Sequence, residues 1–190
     1  MLCTTEGLGP KCVSPTIRRG PVVETARLTL RPVQAADAPR IAALANDLGV
    51  ARMTSSIPHP FPRAAADSFV AKAAGADLAR EAVFAIEAED GDLAGILGFH
   101  PKGGTAPELG YWLGRPYRGR GYMTEAVNGA LDWVRDEWGK RYVVAGHFAD
   151  NPQSGQVLIK AGFLYTGEVL MTPSAARGES VPTRMMVWLA

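Results

Sequence analysis

The chain has 190 residues, 47% of them hydrophobic, and 20 Lys and Arg stand against 19 Asp and Glu for a formal net charge of +1. That length suits one domain with enough apolar material for a sizeable core, and the balanced charge gives no global attraction for nucleic acid or an acidic membrane surface. No apolar run approaches 18 residues, the first twenty residues lack the apolar stretch of a signal peptide, and Cys3 and Cys12 read as free thiols, so a cytoplasmic protein is expected.

Residues 1–22 are punctuated by glycine and proline and read as a flexible or loosely docked extension, ahead of a single domain over 23–190. Residues 27–33 alternate Leu28 and Leu30 against Arg27, Thr29 and Arg31, the period of a half-buried first strand. Asp37 opens a helix predicted to run to about Leu48, with Gly49 as its stop. Residues 54–62 carry three prolines and read as a loop, and a second helix follows over 64–74. The apolar runs 83–88 and 93–99 flank an Asp-Gly turn and predict an antiparallel hairpin. A fourth strand is predicted over 108–113, a third helix over 122–138 and a fifth strand over 142–148. Asn151 then reads as an N-cap with Pro152 at the first helical position and Gly162 closing a short fourth helix. Two last strands fall near 163–171 and 183–189. A helical crossover between the fourth and fifth strands implies a parallel pair within an otherwise antiparallel sheet of about seven strands, with about four helices.

The most informative stretch is RGRGYMTEA, from Arg118 to Ala126. A short apolar strand precedes it, and an amphipathic helix with Ala126, Val127, Ala130, Leu131 and Val134 on one face follows. Gly119 and Gly121 allow positive φ and bring backbone N–H groups close to a ligand; the helix N-terminus, Arg118 and Arg120 favour a phosphate. The same turn also suits plain helix punctuation. Two familiar phosphate loops do not match: GxxxxGK followed by Ser or Thr is missing, and GxGxxG has Thr124 in place of its third glycine.

The turn resembles the acetyl-CoA pyrophosphate loop of the GNAT N-acetyltransferase superfamily, whose pattern is met by Arg118 and Gly121, with Met123 standing where that pattern has a small residue. Three further segments resemble the RimJ/RimL-like branch, in the family's order: ETARLTLRP from Glu24, IPHPF from Ile57 and NPQSGQVLIKAGF from Asn151. The resemblance implies a mixed α/β GNAT fold whose parallel strands splay to admit pantetheine. It implies acetyl-CoA contacts from Trp112, Leu113, Arg118, Gly119, Arg120, Gly121, Tyr122, Met123, Thr124 and Asn151, and acceptor contacts from His59 and Phe61. It implies an acetyl-CoA-dependent N-acetyltransferase acting by direct attack in a ternary complex on a ribosomal-protein N-terminus or a small amine, as monomer or homodimer.

A free α-amine titrates at about 7.7 to 8.0, so its deprotonation near neutrality is a modest task for a carboxylate or a water relay. Glu108 stands where many family members carry that base; its other reading is a solvated strand-end carboxylate. Ser154 resembles the branch's proton donor to the departing thiolate and equally suits a first-turn capping hydroxyl, with Tyr165 as an alternative acid. Asn151 divides between N-cap and pantetheine contact. Glu125 suits the helix macrodipole or a local contact, and the four tryptophans suit core packing. His59, His100 and His147 lie far apart without metal-ligand spacing, so no metal is expected. The rival reading is a non-catalytic acyl-CoA-binding module.

Overall fold

The computed structural model describes residues 20–101 and 106–190. The expected extension up to residue 19, and with it both cysteines, lies outside the described residues. One eight-stranded sheet runs in the order β1-β2-β3-β4-β5-β6-β8-β7. The short β1 (Val23–Glu24), absent from the sequence-based expectation, pairs with β2 (Leu28–Pro32), where Leu28 and Leu30 are buried.

The helix expected to stop at Gly49 is two helices, α1 (Ala38–Ala45) and α2 (Leu48–Ala51). The break has a local cause. The Asp47 carboxylate accepts the Val50 N–H at 3.2 Å and starts a new helix. Gly49 lies within α2, and a Cβ there would sit 2.8 Å from the capping oxygen, so this glycine gives the cap room and does not end a helix. Asp37 stands at the N-cap of α1 as expected, but its carboxylate accepts the Gln34 N–H at 2.7 Å in the preceding 3-10 turn and is gripped by both terminal nitrogens of Arg31 at 2.9 Å.

After α3 (Arg63–Ala74), β3 (Ala82–Ala88) and β4 (Leu93–Pro101) form the expected antiparallel hairpin, with Gly91 at φ 79° in its turn. β5 (Pro107–Leu113) pairs antiparallel with β4. The amphipathic α4 (Tyr122–Asp136) carries the chain across to β6 (Tyr142–Phe148), which runs parallel to β5. The α4 helix ends two residues before the expected Trp138, yet that indole still joins the core by stacking on Trp133 at 5.3 Å. The chain continues through α5 (Pro152–Lys160), and the hairpin of β7 (Leu164–Ser174) and β8 (Glu179–Leu189) extends further than its apolar residues suggested. Among the described residues the α-helices number five and the strands eight, against about four and seven expected, and no described helix is long and apolar enough to cross a membrane.

Side chains alternate across β5 and so place the layers. Tyr111 reaches Ser154 of α5, while the next residue, Trp112, packs on Ala45, Val50, Ala51 and Ile57 beneath the α1–α2 region. The functional opening follows from register: β5 and β6 pair only at Glu108 with Val144 and Leu109 with Ala145. Beyond Leu109 the strands diverge, and the backbone groups of β5 on that side lose their ladder partners.

Candidate active site

The divergence opens onto a cleft of about 820 Å³. Its floor is the β4–β5 face bearing Gly98, His100, Glu108, Gly110 and Trp112; Phe61 closes it from the loop before α3, and Asn151 and Ser154 from α5. Of the residues expected from sequence, Glu108, Trp112, Phe61, Asn151 and Ser154 therefore meet in one cavity. His59 is exposed and is not among the residues lining it. Phe61 is fixed through its N–H, which donates to Asn46 Oδ1 at 2.8 Å.

At α5 the capping role belongs to Asn151, whose Oδ1 accepts the Ser154 N–H at 3.2 Å. The Ser154 hydroxyl is thereby left to another partner, the Tyr111 hydroxyl at 2.9 Å, and when the single phenol proton goes to the Ser154 carbonyl at 3.1 Å the phenol oxygen accepts from the Ser154 hydroxyl. Burial pushes the Tyr111 phenol up to about 12, with the Ser154 hydrogen bond acting the other way, so it stays protonated through neutral pH. Tyr165, the alternative acid, is engaged with His147. The Phe148 carbonyl can only accept, so His147 Nδ1 carries the proton in that 2.9 Å contact, and in the neutral ring Nε2 accepts from the Tyr165 hydroxyl at 2.9 Å. Gly155 lets α5 lie this close: a Cβ there would sit 2.9 Å from His147 Nε2.

The glycine turn has the backbone its sequence requires. Gly119 and Gly121 sit at φ 75° and 80°, and the Glu125 N–H makes the first intrahelical bond, to the Gly121 carbonyl at 3.1 Å. The N–H groups of Gly121, Tyr122, Met123 and Thr124 precede that bond and form the unsatisfied positive end of α4. Met123 does not crowd the turn, because its side chain is buried in the core. Arg118 Nε donates to the Leu113 carbonyl at 3.1 Å and Arg118 Nη2 to the Gly49 carbonyl at 3.4 Å, tying the turn to β5 and α2. The Arg120 side chain is exposed.

Arg27 is a neighbour of this turn that sequence reasoning passed over. Its Nη1 donates to the Arg120 carbonyl at 3.1 Å, and its guanidinium lies 4.9 Å from the Tyr122 ring centre. Glu125 accepts from the Arg27 N–H and Nε and from the Thr25 hydroxyl at 2.7 to 2.8 Å, the local contact its position allowed. Burial opposes the Glu125 charge, but those hydrogen bonds outweigh it and hold the carboxyl below its ordinary range. Tyr111, His147 and the pair Glu81–His100 were also missed. Tyr111 was the most accessible of them, since period-two counting from Leu109 and Leu113 puts it on their face of β5.

Residues 27–164 match the family described as acetyltransferase (GNAT) domain. The ribosomal-protein-serine acetyltransferase of Escherichia coli (strain K12) is 34% identical over 88 residues; that match spans 45% of this chain and about half, 48%, of the relative. A GNAT-family acetyltransferase from Bacillus anthracis superposes with a TM-score of 0.77 at 22% identity, covering 88% of this chain and 98% of that one. Spermidine N-acetyltransferase from Vibrio cholerae, solved with CoA and spermine, gives 0.72 at 19% identity over 85% and 95%. These solved structures support the fold, and the domain match over most of the chain supports the family. The chain belongs to the GNAT acetyltransferase family.

Proposed function

We propose that the protein transfers the acetyl group of acetyl-CoA to a primary amine, either a protein N-terminal amine or a small amine, by direct attack in a ternary complex. One observation carries this reading: a parallel pair that opens after two residues leads to a cleft holding both a carboxylate and a hydroxyl, with a positive-φ cationic turn opening the helix that joins the two strands. The pyrophosphate is assigned to the backbone N–H groups between Gly119 and Thr124, with Arg120 adding charge, and pantetheine to the β5–β6 gap beside Trp112, Leu113 and Asn151.

Glu108 takes a proton from the acceptor ammonium, directly or through water. The amine attacks the thioester carbonyl, whose oxygen is held by a backbone N–H near Leu113, a contribution of about 10² to 10³ in rate in other enzymes. The C–N bond forms, the C–S bond breaks, and the thiolate takes its proton from the Ser154 hydroxyl, which Tyr111 keeps in place. The Escherichia coli relative's name favours a serine of a ribosomal protein, and the spermidine enzyme's favours a polyamine.

Incubation with acetyl-CoA and a panel of N-terminal peptides, diamines and polyamines, read by mass spectrometry and thiol release, tests the proposal. Stoichiometric CoA release with an acetylated amine supports it. Tight acetyl-CoA binding without transfer to any amine would leave the binding-module reading in its place.

A further inference from the structure

A second polar pair lies on the cleft floor, and the reaction above makes no use of it. His100, near the end of β4, faces the cleft and places Nδ1 2.6 Å from Oε1 of Glu81, which immediately precedes β3. A carboxylate only accepts, so Nδ1 carries the proton and the neutral ring presents its Nε2 lone pair. The ring folds back over Gly98, where a Cβ would sit 2.9 Å from Nε2, so this geometry needs a glycine two residues earlier on the same face. Nε2 has no hydrogen-bond partner among the described residues, unlike His147, both of whose nitrogens are engaged.

Directly across the β4–β5 ladder from His100 stands Glu108. Opposed residues on one face have Cβ atoms about 4.5 to 5.5 Å apart, within reach of one bridging water. Lys72 of α3 also lines the cleft, so among the described residues the charged side chains that share its lining with His100 are Glu81, Glu108 and Lys72.

We infer that Glu81 and His100 form a proton-holding dyad behind Glu108, so that the proton leaving the acceptor ammonium passes by way of Glu108 or water to His100 Nε2. The inference deepens the proposed transferase reading and rests on it. In water an α-ammonium titrates near about 8, imidazole near about 6.5 and a carboxyl near about 4.3, so moving the proton to an imidazole is far less uphill than leaving it on a carboxylate. The balance is simple. The ammonium loses one proton to Nε2 and becomes the nucleophile; the imidazolium is neutralised electrostatically by Glu81 and later releases that proton to solvent. The second amine proton, shed as the amide forms, replaces the one the Ser154 hydroxyl gives the thiolate. Glu81 acts only through His100 and is a positioning residue, fixing the tautomer and stabilising the imidazolium.

The test is the pH profile of kcat between pH 6 and 9 for wild type, His100→Gln, Glu81→Gln and Glu108→Gln, using whichever amine of the panel turns over fastest. His100→Gln is expected to lose about 10- to 100-fold in kcat at neutral pH with the KM for acetyl-CoA unchanged, the deficit closing as pH rises and the amine arrives neutral. Glu81→Gln removes the counter-charge that favours the imidazolium, so its acid limb moves to lower pH, a shift that a purely structural role would not produce. A His100→Gln enzyme matching wild type across the range, or an unmoved limb in Glu81→Gln, overturns the dyad. If Glu108→Gln is then impaired while His100→Gln is not, the transferase reading stands and only the dyad falls. No turnover by wild type with any amine overturns both.

Discussion

Gly121→Ala and Gly121→Val probe the turn that opens α4. Gly121 sits at φ 80°, where an L-residue costs about 1 to 2 kcal/mol and a β-branched one is a genuine outlier, up to about 3 kcal/mol. Space is not the obstacle, because a Cβ would meet only Arg27 Nη2, at an ordinary 3.5 Å. The cost is therefore backbone strain, relieved by a turn whose N–H groups no longer converge. At 1.4 kcal/mol per tenfold, acetyl-CoA affinity should fall about fivefold to thirtyfold for Ala and about 100-fold for Val. A matched control exists beyond the other end of the same helix: Gly139 has φ 67°, open space around its Cβ position, and lies roughly 25 Å away along α4. Gly139→Ala should lower the melting temperature about as much as Gly121→Ala and leave acetyl-CoA affinity unchanged. Calorimetric titration beside thermal unfolding reads both quantities, and equal affinity losses in the two alanine variants would refute the assignment of the turn.

The turn's two arginines should separate. Arg120→Gln weakens CoA more than a pantetheine fragment and leaves stability alone, whereas Arg118→Gln also costs about 1 kcal/mol in denaturant unfolding, because its guanidinium holds the Leu113 and Gly49 carbonyls. Ser154→Ala should lower kcat by about 10²-fold with acetyl-CoA binding retained, while Tyr165→Phe, whose hydroxyl proton goes to His147, should change kcat only about twofold in a steady-state assay. The Glu125 carboxyl is depressed in the folded state, so its stabilisation is present above its unfolded value of about 4.3 and is lost as pH falls through the folded value. Urea unfolding should therefore show wild type losing stability below about pH 4 more steeply than Glu125→Gln, and parallel curves would remove the Arg27–Glu125 clamp from the account.

Strands were legible in the sequence wherever burial is one-sided or a turn is strongly marked: Leu28 and Leu30 in β2, the Asp-Gly hairpin, and β6 to the residue. The break after α1 was not, because it depends on the Asp47 carboxylate turning back on Val50, a geometric event that leaves no periodic trace. Gly49 illustrates the ambiguity, since the same residue that ends many helices here makes room for a cap. At the site, Gly119 and Gly121 announced positive φ, but nothing in the sequence says that Arg118 would spend its donors on two carbonyls. Tyr111, His147 and the Glu81–His100 pair join residues 18 to 43 positions apart, and only the packing of separate elements brings them together.

The central claim is that one cleft joins a thioester bound through the α4 turn to an amine bound beside Glu108. The most direct measurement is the structure of the protein with acetyl-CoA bound. The account predicts the pyrophosphate on the N–H groups from Gly119 to Thr124 and the thioester between β5 and β6, within reach of the Ser154 hydroxyl. A cofactor lying outside that gap, with its phosphates away from the turn, would contradict it.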